Sequence, residues 1–176
     1  MSHASLLAEL ERGLGALHVA LPRGAGQRLL DYLQLLQRWN RVYNLTAVRG
    51  TRSMLTRHVL DSLTLVPFLE GQRILDVGSG AGLPGIPLAI CSPDRAFWLL
   101  DASAKRCRFL RQAKAELGLQ NVTVLATRAE DYQSGEKFDT LASRAYSSLD
   151  GFVHSAGHLL AENGVLLAMK GAWPTL

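Results

Sequence analysis

The chain has 176 residues, 48% of them hydrophobic and 19% charged, with a formal net charge of +4; this supports one substantial core with a small appended layer and excludes two full domains. The longest charge-free run, Val77 to Pro93, holds four glycines and three prolines and reads as a loop and a short helix rather than a membrane span. Glu9 and Glu11 interrupt any secretory apolar region, and Cys91 and Cys107 fit no C-x-x-C or metal-ligand spacing, so a soluble, reduced, cytoplasmic protein without disulfide or zinc is expected.

In chain order, residues 3 to 18 space Leu6, Leu7, Leu10, Leu14 and Leu17 by three and four, the stripe of an amphipathic helix. A second helix is predicted from Gly26 to Tyr43, with Leu29, Leu33, Leu36 and Tyr43 on one face and Leu30 and Trp39 beside it. Asn44-Leu45-Thr46 breaks that pattern. A third helix starts at Ser53, carries Leu55, Val59, Leu63 and Val66, and stops at Pro67.

Beyond Gly71 strands and helices alternate. Strands are predicted at Arg73 to Val77, Ala96 to Leu100, Val122 to Ala126, Phe138 to Ser143 and Val165 to Met169, with helices at Gly85 to Cys91, Ser103 to Leu117 and Leu149 to Ala161. Strands apolar on both faces and separated by helices indicate a parallel sheet covered on each side. The expected fold is α/β and mostly parallel over residues 71–176, with a helical cap over residues 1–70 in the same compact unit. The strand from Val165 is apolar on both faces, as a sheet interior requires, yet only a few residues follow it before Leu176. A truncated form, lacking a C-terminal tail that adds further strands, is therefore expected.

Fifteen of the 19 cations are arginine. No acidic residue lies between Asp31 and Asp61, an interval holding Arg38, Arg41, Arg49, Arg52 and Arg57, and none lies between Asp101 and Glu116, which enclose Lys105, Arg106, Arg108, Arg111 and Lys114. Each block alone reads equally as a solvated helix face, but two in one small chain favour a nucleic-acid partner.

The densest chemical signal is Ile74-Leu75-Asp76-Val77-Gly78-Ser79-Gly80-Ala81-Gly82-Leu83-Pro84-Gly85, a strand entering a glycine turn at a helix start. Gly80-x-Gly82-x-x-Gly85 satisfies the dinucleotide fingerprint, and Asp101 follows Gly80 by 21 residues, at the end of the second strand, where an acceptor for ribose hydroxyls belongs. A nicotinamide oxidoreductase stays open on that fingerprint, and so does a non-catalytic RNA-binding remnant. The earlier glycine, Gly78, and the acid at the strand tip, Asp76, resemble instead the first motif of Rossmann-like S-adenosylmethionine-dependent methyltransferases. Asp76 either touches the methionine amine or caps the turn.

Further runs make the resemblance specific: Tyr43-Asn44-Leu45-Thr46, Arg57-His58-Val59-Leu60-Asp61-Ser62-Leu63, Gly80 through Leu88, Leu99-Leu100-Asp101 with Lys105-Arg106 and Phe109-Leu110, Ser143-Arg144-Ala145, and Met169-Lys170-Gly171. In this order they resemble the RsmG (GidB) family of bacterial methyltransferases that act on guanine N7 of 16S ribosomal RNA, from about Leu29 onward. Family members continue into two closing strands absent here.

The resemblance implies S-adenosyl-L-methionine as cofactor, a ribosomal RNA or small-subunit partner, no metal, and a monomer. It implies that Gly78, Gly80 and Leu83 line the cofactor pocket, that Asp101 accepts from the ribose, that Ala129 and Glu130 bracket the adenine, and that Arg144 sits at the reactive end. Glu130 reads equally as the opening of a short helix. Asn44, Arg57, His58 and Lys170 are candidate substrate contacts, His58 also reading as an ordinary hydrogen-bonded helix residue. No catalytic acid or base is assigned. Guanine N7 carries a free lone pair, so alignment rather than deprotonation is the expected basis of catalysis.

Overall fold

The computed structural model describes residues 3–133, 135–146 and 148–170. Gly171 of the Met-Lys-Gly run lies outside them. Five parallel strands, β1 (Arg73–Val77), β2 (Ala96–Leu100), β3 (Val122–Leu125), β4 (Phe138–Ser143) and β5 (Leu160–Ala168), form one sheet in the order β3-β2-β1-β4-β5. Helix α5 (Gly85–Cys91) connects β1 to β2, α6 (Ala104–Glu116) connects β2 to β3, and α7 (Leu149–Ala156) leads to β5. The order runs outward from β1 to β3 and then resumes on β1's other side with β4. That reversal opens a crevice at the carboxyl ends of the strands, where ligands of open α/β sheets bind.

The cap begins with α1 (His3–Leu17) and α2 (Ala25–Tyr43). Their buried stripes, Leu6, Leu10 and Leu14 on α1 and Leu29, Leu33 and Leu36 on α2, join Ile86, Ile90, Phe109 and Leu110 in one hydrophobic cluster. The cap and two crossover helices therefore share a core on one face of the sheet. Trp39 stacks on Tyr43 at 5.0 Å and meets the Phe109 edge at 5.6 Å, locking α2 to α6. A second cluster, with Leu75, Val77, Leu141, Phe152 and Leu159, fills the opposite face under α7. Helix α6 starts at Ser103, whose hydroxyl accepts from the Arg106 N–H.

Three expectations change. The third helix begins earlier, as α3 (Thr51–Met54), continues as a π-helical turn over Leu55–Leu60, and ends as α4 (Asp61–Leu63). Pro67 lies instead inside a separate 3₁₀ turn, Val66–Phe68, because the Thr64 hydroxyl and amide both bond to the Asp61 carbonyl and close the helix first. Helix α7 stops at Ala156; a 3₁₀ turn, Gly157–Leu159, follows, and pairing of Leu160 with Phe138 starts β5 five residues before the predicted strand. β5 is an edge strand among the described residues, and most of it is half-buried.

Candidate active site

The chain leaves β1 at Gly78 with φ of 72°. The N–H groups of Gly78 and Ser79 both donate to the Leu100 carbonyl at the end of β2, at 2.8 and 3.0 Å. A Cβ at Gly78 falls 2.7 Å from that of Ala145, just beyond β4, so a larger residue here pushes the β1 and β4 ends apart. The turn closes on itself: the Ser79 carbonyl accepts from Gly82 and Leu83, and its hydroxyl donates to the Asp76 carbonyl. From the cap, the fully buried Tyr32 phenol donates to the Ala81 carbonyl at 2.7 Å. Burial pushes the phenol's pKa upward and keeps it a donor.

Asp76 faces inward. Its Oδ2 accepts from the Gly85 N–H at 2.9 Å, while its Oδ1 is buried without a hydrogen-bond partner. Desolvation raises this carboxyl to about 7, against the opposing pull of the Gly85 N–H. In this arrangement Asp76 caps the glycine turn. Asp101, also buried, ties two loops together: its Oδ2 accepts from the Gly80 N–H at 2.9 Å and its Oδ1 from the Ser103 N–H at 2.8 Å, with Arg106 Nη1 3.5 Å from Oδ2. Each carboxylate oxygen retains acceptor capacity after one such bond.

Two adjoining hollows form a cleft over these strand ends. One, of about 210 Å³, is lined by Gly78, Asp101, Ala129, Glu130 and Tyr146 among others. The next, of about 310 Å³, is lined by Leu45, Thr46, Gly80, Leu83 and Arg144. Gly78 and Arg106 border both. The structure thus brings Gly78, Gly80, Leu83, Asp101, Ala129, Glu130 and Arg144 along one cleft. Sequence reasoning missed Arg106 as a shared wall, Tyr32 as the support of the turn, and Leu45 and Thr46 as lining from the cap. The Asp101 to Arg106 spacing was the one available hint of the first.

Of the candidate substrate residues, Asn44, Arg57 and His58 lie on the cap and Lys170 follows β5. His58, on the π-helical turn, is buried; its Nδ1 donates to the Arg57 carbonyl at 3.1 Å and its Nε2 accepts from the Thr46 hydroxyl at 2.9 Å. Burial lowers its pKa, which suits this neutral bonding pattern. Asn44 is exposed, accepts from Arg49, and borders a polar hollow of about 580 Å³ with Asn40 and Arg41. Arg57 is exposed, and Lys170 donates to the Tyr146 carbonyl. Parts of the first basic block are paired, Arg38 with Glu116 at 2.7 Å and Arg52 with Glu9 at 2.8 Å, and in the second block Arg106 lies 3.5 Å from Asp101.

Residues 25–175 match the model of a family described as GidB, rRNA small subunit methyltransferase G. The chain belongs to that family. Relatives described as ribosomal RNA small subunit methyltransferase G agree: one from Nitrosococcus oceani is 53% identical over 94% of this chain and 77% of its own length, and one from Laribacter hongkongensis is 53% identical over 97% and 82%. Among solved structures, a SAM-dependent methyltransferase from Thiobacillus denitrificans in complex with S-adenosyl-L-homocysteine superimposes with a TM-score of 0.52 at 22% identity, over 85% of this chain and 56% of that one. Coclaurine N-methyltransferase gives a TM-score of 0.58 at 12% identity, over 95% and 51%. The fold is the Rossmann-like fold of class I methyltransferases.

Among the described residues, no group of three or more His, Cys, Asp or Glu is placed to hold a metal, and no helix is long and apolar enough to cross a membrane. Cys91 and Cys107 are both free and buried. The Cys107 thiol donates to the Asp101 carbonyl at 3.1 Å, a packing role that supports the cleft wall.

Proposed function

We propose that this protein methylates guanine N7 in 16S ribosomal RNA, using S-adenosyl-L-methionine held in the cleft over β1 and β2. The convergence of the Gly78 to Leu83 turn, Asp101 and the Ala129-Glu130 corner along one cleft of a family member carries this reading. The residues suit such a cofactor. Asp101 has lone pairs left for two ribose hydroxyls, Ala129 is small and buried beside it, and Glu130 stands exposed at the same rim. Space above Gly80 is open, since a Cβ there would meet only the Gly78 carbonyl at 3.9 Å. Leu83 and Arg144 border the hollow for the amino-acid end.

When bound, the cofactor supplies a methyl group on a positively charged sulfur. The chain's own contribution is placement. Guanine N7 needs no deprotonation, which agrees with a His58 whose two ring nitrogens are both engaged, by the Arg57 carbonyl and the Thr46 hydroxyl. Fixing the two reactants in line accounts for roughly 7–11 kcal/mol at best. The Tyr32 to Ala81 bond and the Asp101 to Gly80 bond hold the turn rigid for that purpose.

The test is transfer of a tritiated methyl group to unmethylated small-subunit RNA or subunits, followed by mapping. Label on one guanine, released as 7-methylguanine, is expected. Label on another base, or none, would refute the proposal.

A further inference from the structure

Beside the cofactor cleft lies a hollow of about 420 Å³ lined by Asp61, Thr64, Leu65, Arg144, Met169 and Lys170. Arg144 borders both spaces, so they meet at its guanidinium. That guanidinium is incompletely used: Nη2 donates to the Arg57 carbonyl at 3.2 Å and lies 3.5 Å from Asp61 Oδ2, while Nη1 is buried with no hydrogen-bond partner. The Asp61 carboxylate stays 47% exposed at the hollow, held by a contact too long to saturate it. The hollow is therefore bordered by a partly exposed guanidinium and a charged acceptor side by side.

Guanine carries the complementary sequence along one edge. O6 accepts, and N1–H and the N2 amine next to it donate. Adenine places a donor where guanine has O6 and an acceptor where guanine has N1–H, so the same pair of side chains meets it with both polarities wrong. We infer that this hollow is the target-base pocket, with Arg144 donating to guanine O6 and Asp61 accepting from N1–H and the N2 amine. The inference rests on the methyl-transfer reading above and names the residues that read the base.

A charge argument points the same way. As the bond from N7 to the methyl carbon forms, the carbon–sulfur bond breaks, its electron pair stays on sulfur, and the positive charge passes to the purine. The N1–H then becomes more acidic and a better donor. A carboxylate on that edge gains interaction as the reaction proceeds, which is the differential binding that lowers a barrier.

Binding of nucleoside monophosphates to the 176-residue chain without cofactor, followed by calorimetry, tests this separately from activity. 7-Methylguanosine monophosphate is expected to bind about tenfold more tightly than guanosine monophosphate, and the latter about tenfold more tightly than adenosine monophosphate, each step reflecting gained or lost charge-assisted bonds. Asp61→Asn brings the 7-methyl preference within about twofold. Equal binding of the guanine and adenine nucleotides, no binding of any, or an Asp61→Asn variant that keeps the 7-methyl preference would each overturn the pocket. None of those outcomes depends on whether tritiated methyl reaches RNA, so failure here leaves the cofactor assignment standing.

Discussion

Two walls enclose the cleft, and they are built differently. The wall made by β1, the glycine turn and β2 consists of backbone bonds anchored by two buried carboxylates: Gly78 and Ser79 on Leu100, Gly80 on Asp101, Gly85 on Asp76. The wall facing it, residues 44–50 with the π-helical turn, contains a series of neutral side-chain bonds. Asn40 Oδ1 accepts from the Thr46 N–H, Thr46 donates to His58, and the same hydroxyl accepts from Val48. Burial acts on a carboxylate in the first wall and on an imidazole in the second, so the two walls respond to pH in opposite directions.

The largest expected effect belongs to Asp76. Its folded pKa of about 7 exceeds the ordinary 3.8, so between those values the folded chain binds more protons than the unfolded one, and stability falls as pH rises. A shift of that size is of order a few kcal/mol. Urea melts across this window are expected to show a downward contribution in the wild type that Asp76→Asn removes; parallel curves would contradict the burial argument.

Next comes Gly85→Ala. A Cβ there meets Asp76 Oδ2 at 2.6 Å and collides with the Leu99 side chain, so a loss of roughly 1–3 kcal/mol is expected in the same melts. Tyr32→Phe is smaller, about 1 kcal/mol, from the bond that joins the cap to the turn. It should also weaken cofactor binding, because the Ala81 carbonyl loses its anchor. The smallest and most local effect is that of His58. Its folded pKa lies below 6.5, so the stability it contributes is full above that value and is lost as pH falls through the folded value. Protonation turns Nε2 into a donor facing the Thr46 hydroxyl. A lower protection factor for the Val48 amide on mild acidification, with that of Gly80 unchanged, is the expected signature.

The same contrast explains what the sequence discloses. The β1-to-α6 wall follows local rules: apolar runs give the strands, glycines mark the turn and Ser103 caps α6, whereas the seven cofactor candidates, which fall along one cleft, come from the family resemblance. The attachments of the cap helices depend on partners far apart in the chain. Tyr32 and Ala81 are 49 residues apart, Arg38 and Glu116 are 78 apart, and Arg52 and Glu9 are 43 apart. An acid-free interval in sequence is therefore not an unpaired surface in space. The π-helical turn is hidden because its apolar residues, Leu55 and Val59, keep ordinary helical spacing. The end of α7 escapes likewise, since β4 pairing overrides an apolar pattern that suits either helix or strand.

Calorimetric titration of the chain with S-adenosylhomocysteine and, separately, with NAD tests the central claim most directly. Saturable binding of the first at a single site, none of the second, and at least a tenfold loss in Asp101→Ala are expected. Preference for NAD, or an affinity for S-adenosylhomocysteine indifferent to Asp101→Ala, would contradict the assignment of this cleft.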